Sequence, residues 1–106
     1  MIYISGRITG NKNWQSDFQK AEDFLKKTFD ELKIVNPLHL DKAVQKIYGE
    51  NTTYKQYMIH DIHELIFCNQ IYMLRGWWKS KGARLEHHIA RVLGMKIIYQ
   101  KRGEKC

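Results

Sequence analysis

The sequence predicts an α/β fold: one compact, doubly wound domain of flavodoxin-like or Rossmann-like type, with a parallel sheet of about four strands. Short runs of β-forming residues at 1–5, 32–35, 71–74 and 96–99 alternate with segments whose apolar residues recur at helical spacing. Strands separated by helices pair in parallel through crossovers. A chain of 106 residues, 43% hydrophobic and with a single Pro, suits one core rather than two. At this size roughly 60 to 70% of the unfolded surface is buried on folding, so no cross-link is needed.

The elements follow in order. Residues 1–5 are rich in β-formers and run into a loop bracketed by Gly6 and Gly10, which reads as a first strand and its turn. Trp14, Phe18, Ala21 and Leu25 then mark one face of a helix, with Asp17, Lys20 and Lys27 on the others. Leu32-Lys33-Ile34-Val35 reads as a second strand, stopped by Asn36-Pro37 because Pro lacks the donor a ladder needs. Residues 39–49 are open: Leu40, Ala43, Val44 and Ile47 fit a short helix, while the Gly49-Glu50-Asn51-Thr52 that follows is loop-like.

Thr53 and Gln56 form a capping-box pattern that starts the next helix, with Tyr54, Tyr57, Met58, Ile62 and Leu65 apolar and the chain helical as far as Cys68. Ile71-Tyr72-Met73-Leu74 is a buried strand stopped by Gly76. Ser80 caps a helix whose apolar positions are Ala83, Leu85, Ile89, Ala90, Val92 and Leu93, and Gly94 is placed to end it in a left-handed turn. The final strand is 96–99, which leaves 101–106 as a basic tail after a domain of residues 1–100.

Eighteen Lys and Arg against eleven Asp and Glu give a formal charge of +7, which favours an anionic ligand. The basic residues are spread over several helix faces and no nucleic-acid-binding motif accompanies them, so a solvated surface is expected and nucleic acid is not the expected partner. Cys68 and Cys106 do not make a disulfide framework. No window approaches the ~18 apolar residues of a membrane span and no targeting pattern opens the chain, so a cytoplasmic protein is expected.

In an open parallel sheet, ligands bind beyond the carboxyl ends of the strands, near the reversal of strand order. The loops 5–10 and 75–82, rich in Gly, hydroxyl and basic side chains, are the candidates there, with Asn36-Pro37 between them. Gly6 and Gly10 stand too far from a dinucleotide fingerprint or a P-loop to count as either. Glu86 shares a helical face with Ala83 and Ala90, a face that otherwise reads as core, and a carboxylate there is either ion-paired with Arg84, Arg91 or Lys79 or put to chemical use.

Three separated segments then carry a resemblance. Tyr3-Ile4-Ser5-Gly6-Arg7-Ile8-Thr9-Gly10, Asp61 within Ile59-His60-Asp61-Ile62, and Gly76-Trp77-Trp78-Lys79-Ser80-Lys81-Gly82-Ala83-Arg84-Leu85-Glu86-His87 resemble the small phage and bacterial branch of the nucleoside 2-deoxyribosyltransferase-like family. The resemblance implies hydrolysis or transfer at the N-glycosidic bond of a nucleotide or nucleoside, or binding of such a ligand without turnover. It implies Glu86 as the nucleophile that attacks the anomeric carbon and Asp61 as a residue that orients substrate or shares protons. Tyr3, Ser5, Gly6, Arg7 and Gly10 would border the substrate on one side, and Gly76, Trp77, Ser80 and Gly82 on the other. Where active transferases carry acidic residues, this chain has Lys79-Ser80 and Asn69; the basic, hydroxyl-bearing lip suits a 5′-phosphate, which Arg7 and Arg75 would pair with.

No cofactor is expected and no metal: His60 and His63 share a helix face and His87-His88 are adjacent, but too few spaced ligands accompany them for zinc. Trp77-Trp78 suit either base stacking or a subunit contact, and a homo-oligomer is expected because so small a domain leaves a shallow cleft.

Overall fold

The computed structural model describes residues 1–29 and 32–101. Four parallel strands, β1 (Ile2–Ser5), β2 (Ile34–Val35), β3 (Gln70–Met73) and β4 (Lys96–Tyr99), form one sheet in the order β2-β1-β3-β4. The helices are α1 (Trp14–Thr28), α2 (Pro37–Tyr48), α3 (Tyr54–Leu65) and α4 (Lys81–Val92). The architecture is flavodoxin-like, as the alternation of strands and helices predicts.

Strand alternation divides the core. Ile2 and Ile4 of β1 point to the side covered by α1, where Phe18, Ala21 and Leu25 pack with Leu38, Tyr72 and Leu74. Tyr3 points the other way, into a cluster with Val35, Leu65, Ile71, Met73, Ala83 and Ala90, beneath α3 and α4. Ser5, two residues after Tyr3, lies on that same side, and the register places it beside Met73.

Several boundaries differ from expectation for identifiable reasons. Leu32 and Lys33 precede β2 rather than belonging to it. Asn36-Pro37 ends that strand but also starts α2: the Asn36 side chain accepts from Leu38 N at 3.0 Å and Pro37 occupies the first turn, where its missing donor costs nothing. The open segment 39–49 is therefore helical up to Tyr48. Cys68 lies beyond the end of α3, in the turn before β3, with its thiol free and buried.

The capping box of α3 is present in both halves, Thr53 Oγ1 accepting from Gln56 N and Gln56 Oε1 from Thr53 N. Ser80 caps α4 through Ala83 N at 3.2 Å. Gly94 adopts φ +70°, the left-handed turn its position calls for. A 3₁₀ turn at Trp77–Lys79, not expected from sequence, links β3 to α4. The apolar face of α4 is narrower than expected, since Leu85, Val92 and Leu93 are exposed. Lys101 apart, the expected basic tail and Cys106 lie outside the described residues. Among the described residues no helix is long and apolar enough to cross a membrane.

Candidate active site

Strand order reverses at β1, which has β2 on one side and β3 on the other. At the carboxyl end of β1, beside that switch point, lies a narrow cavity of about 40 Å³ lined by Gly6, Ser80, Gly82, Ala83, Asp61 and Glu86 among others. A larger one of about 340 Å³ shares Ile8, Thr9, Tyr54, Met58 and Asp61 with it, and extends to Trp14, Asp41, Gln45 and Tyr57. The two are lobes of one cleft.

Glu86 lines the narrow lobe. Its place on α4, one turn after Ala83 and one turn before Ala90, turns it toward the sheet, and only 5% of its surface is exposed. Tyr3 OH donates to Glu86 Oε2 at 2.6 Å and Ser5 Oγ donates to Oε1 at 2.7 Å. Its hydrogen bonds therefore go to two hydroxyls of β1, not to Arg84, Arg91 or Lys79. Burial pushes the Glu86 carboxyl up to about 7, with the hydroxyl donors of Tyr3 and Ser5 restraining the rise and the Asp41 charge adding to it. Near neutral pH this carboxyl divides between ionised and protonated forms. Tyr3, buried beside it, is held well above the ordinary phenol range by burial and by Glu86, so it stays a donor.

Asp61 is buried too, 3% exposed. Burial and then the charges of Asp41 and Glu86 raise its carboxyl far above the usual range. Asp41 rises less, because burial is opposed by a hydrogen bond from Asp61. The charges acting on these carboxyls are one another's.

Gly82 of α4 lies against the side chains of α3. A β-carbon there would stand 2.7 Å from Tyr54 OH and 3.1 Å from Met58 Sδ, so the absence of a side chain keeps the narrow lobe open.

Of the residues the sequence marks, Tyr3, Ser5 and Glu86 are joined by hydrogen bonds, and Gly6, Ser80, Gly82 and Asp61 line the same lobe. Arg7 and Gly10 lie on the adjoining loop outside both lobes, where a side chain at Gly10 would meet the Arg7 guanidinium at 3.0 Å. Gly76 and Trp77 line neither lobe; the Trp77 ring stacks on His87 at 4.2 Å between centroids. Arg75 is exposed and its backbone N–H donates to Gln100. Asn69 sits at the opposite, amino end of the sheet, where its side-chain oxygen accepts from the Met1 ammonium at 3.1 Å.

Asp41, Gln45, Tyr54, Met58 and Trp14 are wall residues that sequence reasoning missed. For Asp41 a signal existed: Leu38, Asp41 and Val44 fall on one face of α2, a carboxylate in an apolar stripe as at Glu86. Among the described residues no cluster of three or more His, Cys, Asp or Glu is arranged to hold a metal ion. His60 Nε2 instead lies 3.1 Å from Tyr48 OH, and the His63 ring packs on Phe67.

A family model described as "Domain of unknown function (DUF4406)" matches residues 1–99, all four strands and all four helices included. The chain belongs to that family. No curated protein and no solved structure matches it. Membership in the family thus covers the whole cleft while assigning no chemistry to it.

Proposed function

We propose that the protein cleaves the N-glycosidic bond of a nucleotide or nucleoside, by hydrolysis or by transfer, with Glu86 as nucleophile. The observation that carries this reading is the Glu86 carboxyl itself: buried, held at both oxygens by hydroxyl donors, and opening on a cleft at the switch point of the sheet. A structural glutamate gains from a cation. This one has hydroxyls, which fix its orientation without neutralising it and leave charge available to an oxocarbenium-like transition state.

The wider surroundings agree with such a substrate. A space of about 340 Å³ walled by Trp14, Tyr54 and Tyr57 suits a flat heterocycle. The amino end of α4, with exposed Lys79 and Lys81, suits a phosphate at the lip and away from the carboxyls. The resemblance to the nucleoside 2-deoxyribosyltransferase-like family supports the same assignment of Glu86 and Asp61.

In the first step a Glu86 oxygen forms a bond to the anomeric carbon as the carbon–nitrogen bond breaks. Its electron pair leaves on the base, which takes a proton from Asp61. In the second, water or another base attacks the glycosyl ester, Asp61 recovers a proton, and Glu86 is released. A second reading, binding of a nucleotide-like ligand without turnover, is favoured by the narrowness of the lobe at Glu86, about 40 Å³.

Incubation with a panel of nucleosides and 5′-nucleotides, followed by chromatography for free base, tests the proposal. Base release that disappears in Glu86→Gln supports it. Tight binding without release supports the second reading, and equal release by both proteins excludes Glu86 as nucleophile.

A further inference from the structure

Asp41 and Asp61 come from different helices, α2 and α3, which pack against each other, and their carboxyls meet in the wall of the larger lobe. Asp41 Oδ1 and Asp61 Oδ1 are both buried and receive no hydrogen bond from any N–H or O–H of the described chain. Two ionised carboxylates in such a place are costly, because each faces the other's charge with little solvent to screen it. One proton held by the pair relieves that cost. The other titratable groups bearing on the pair are Glu86 from α4, whose charge adds to the cost of a second negative charge, and Tyr3 from β1 and Tyr54 from the first turn of α3, which burial and the carboxylates themselves hold in the neutral form.

We propose that Asp41 is a positioning residue: it shares one proton with Asp61 and keeps that proton at the cleft wall for transfer to the departing base. This rests on the glycosidic reading above and goes beyond it, since nothing else assigns Asp41 a part. The direction of the shifts agrees: burial first, then Asp41 and Glu86, raise Asp61, while the hydrogen bond from Asp61 lowers Asp41. The proton resides on Asp61 and Asp41 accepts its hydrogen bond. As the carbon–nitrogen bond breaks, the proton passes from Asp61 to the base nitrogen that receives the bonding pair, leaving the pair of carboxyls with an extra negative charge. The water of the second step restores it by giving one proton to Asp61 as its oxygen joins the anomeric carbon, so the pair ends as it began.

A substrate whose base departs without needing a proton separates this role from a structural one. Asp41→Asn and Asp61→Asn are compared with the wild-type protein on a purine 5′-nucleotide and on a nicotinamide 5′-nucleotide, whose pyridinium base leaves as a neutral molecule. Purine release is expected to fall about 100-fold or more in Asp61→Asn and about 10-fold or more in Asp41→Asn, with nicotinamide release changed less than about threefold in either. Equal losses on both substrates in Asp41→Asn would overturn the proposal.

Carboxyl 13C NMR of the wild-type protein tests the shared proton independently of turnover. One proton should stay on the pair through neutral pH, and Asp61 should titrate lower in Asp41→Asn. Two ordinary, independent titrations would overturn proton sharing. Absence of base release from either substrate, with the shared proton observed, would instead overturn the glycosidic reading and with it the proton's destination.

Discussion

Glu22 and Glu86 are buried glutamates on helices that cover opposite faces of one sheet, with 7% and 5% of their surfaces exposed, yet their surroundings move them in opposite directions. Glu22 on α1 meets Lys26 Nζ at 3.0 Å, His39 Nε2 at 3.1 Å and Asn36 Nδ2 at 3.2 Å. Burial raises its carboxyl, but Lys26, Asn36 and His39 together more than offset that, and it titrates below the usual value. Glu86 is held by the Tyr3 and Ser5 hydroxyls and feels the charge of Asp41, and it titrates above the usual value. The first is a glutamate whose charge is compensated within the fold; the second keeps its charge for something outside it. Burial alone, then, does not mark a functional carboxylate. The nature of the partner does.

The largest expected separation between the two is in activity. Glu86→Gln should lower base release by roughly 10³-fold or more, whereas Glu22→Gln should leave it within about threefold; steady-state assays of the two variants compare them directly. Stability should respond in the reverse sense. Chemical denaturation at pH 8 should show Glu22→Gln destabilised by about 1–2 kcal/mol, through loss of the charge-assisted bonds to Asn36 and Lys26. Under the same conditions Glu86→Gln should be stabilised by something on the order of 1 kcal/mol, because an ionisation disfavoured by burial is removed.

The pH dependence sharpens this. Glu86 is raised in the folded state, so its contribution to stability is fully present below the unfolded carboxylate value and is lost as pH rises through about 7. Asp41 and Asp61, also raised, act in the same sense. Glu22 is lowered, so its contribution is present above the unfolded value and is lost as pH falls through the folded one. Denaturation midpoints measured from pH 5 to 8 should therefore fall with rising pH in the wild-type protein, less steeply in Glu86→Gln, and with unchanged slope in Glu22→Gln. A wild-type midpoint that climbs over that interval would contradict the raised carboxyls.

Smaller effects come from the partners of Glu86. Tyr3→Phe removes a donor that stabilises the ionised form, so the acidic limb of the rate profile should move to higher pH and the rate at pH 7 should drop by about 10-fold, with roughly 1 kcal/mol lost in stability. Gly82→Ala should change stability by less than about 1 kcal/mol, since the atom it meets is the far end of the half-exposed Tyr54, while raising KM by pushing Tyr54 across the narrow lobe. An unchanged KM would show that substrate does not pass between Gly82 and Tyr54.

The sequence made Glu86 legible because three residues of one helix, Ala83, Glu86 and Ala90, settle a face by spacing alone. Its partners were not legible as partners. Tyr3 and Ser5 lie more than eighty positions away, and only the parallel pairing of β1 with β3, and the packing of α4 above them, brings them to the carboxyl. Asp41 escaped because Asn36-Pro37 carries two signals, a strand stop and a helix start, and reading only the first left α2 uncertain and its buried face unassigned. Gly76 and Trp77 stood in a segment like that of Glu86, but the 3₁₀ turn directs Trp77 onto His87, outside the cleft. Local periodicity is readable along the chain, whereas a cleft walled by four separate segments depends on tertiary packing that no single segment encodes.

The most direct test of the central claim is to trap the bond that Glu86 is proposed to make. The protein is incubated with a nucleotide bearing a 2′-fluoro sugar, which slows breakdown of a glycosyl ester, and is then analysed by intact mass and peptide mapping. A single added sugar phosphate on the peptide containing Glu86, absent from Glu86→Gln, is the predicted result. Release of base with no adduct, or an adduct on another carboxylate such as Asp61 or Glu22, would contradict the account.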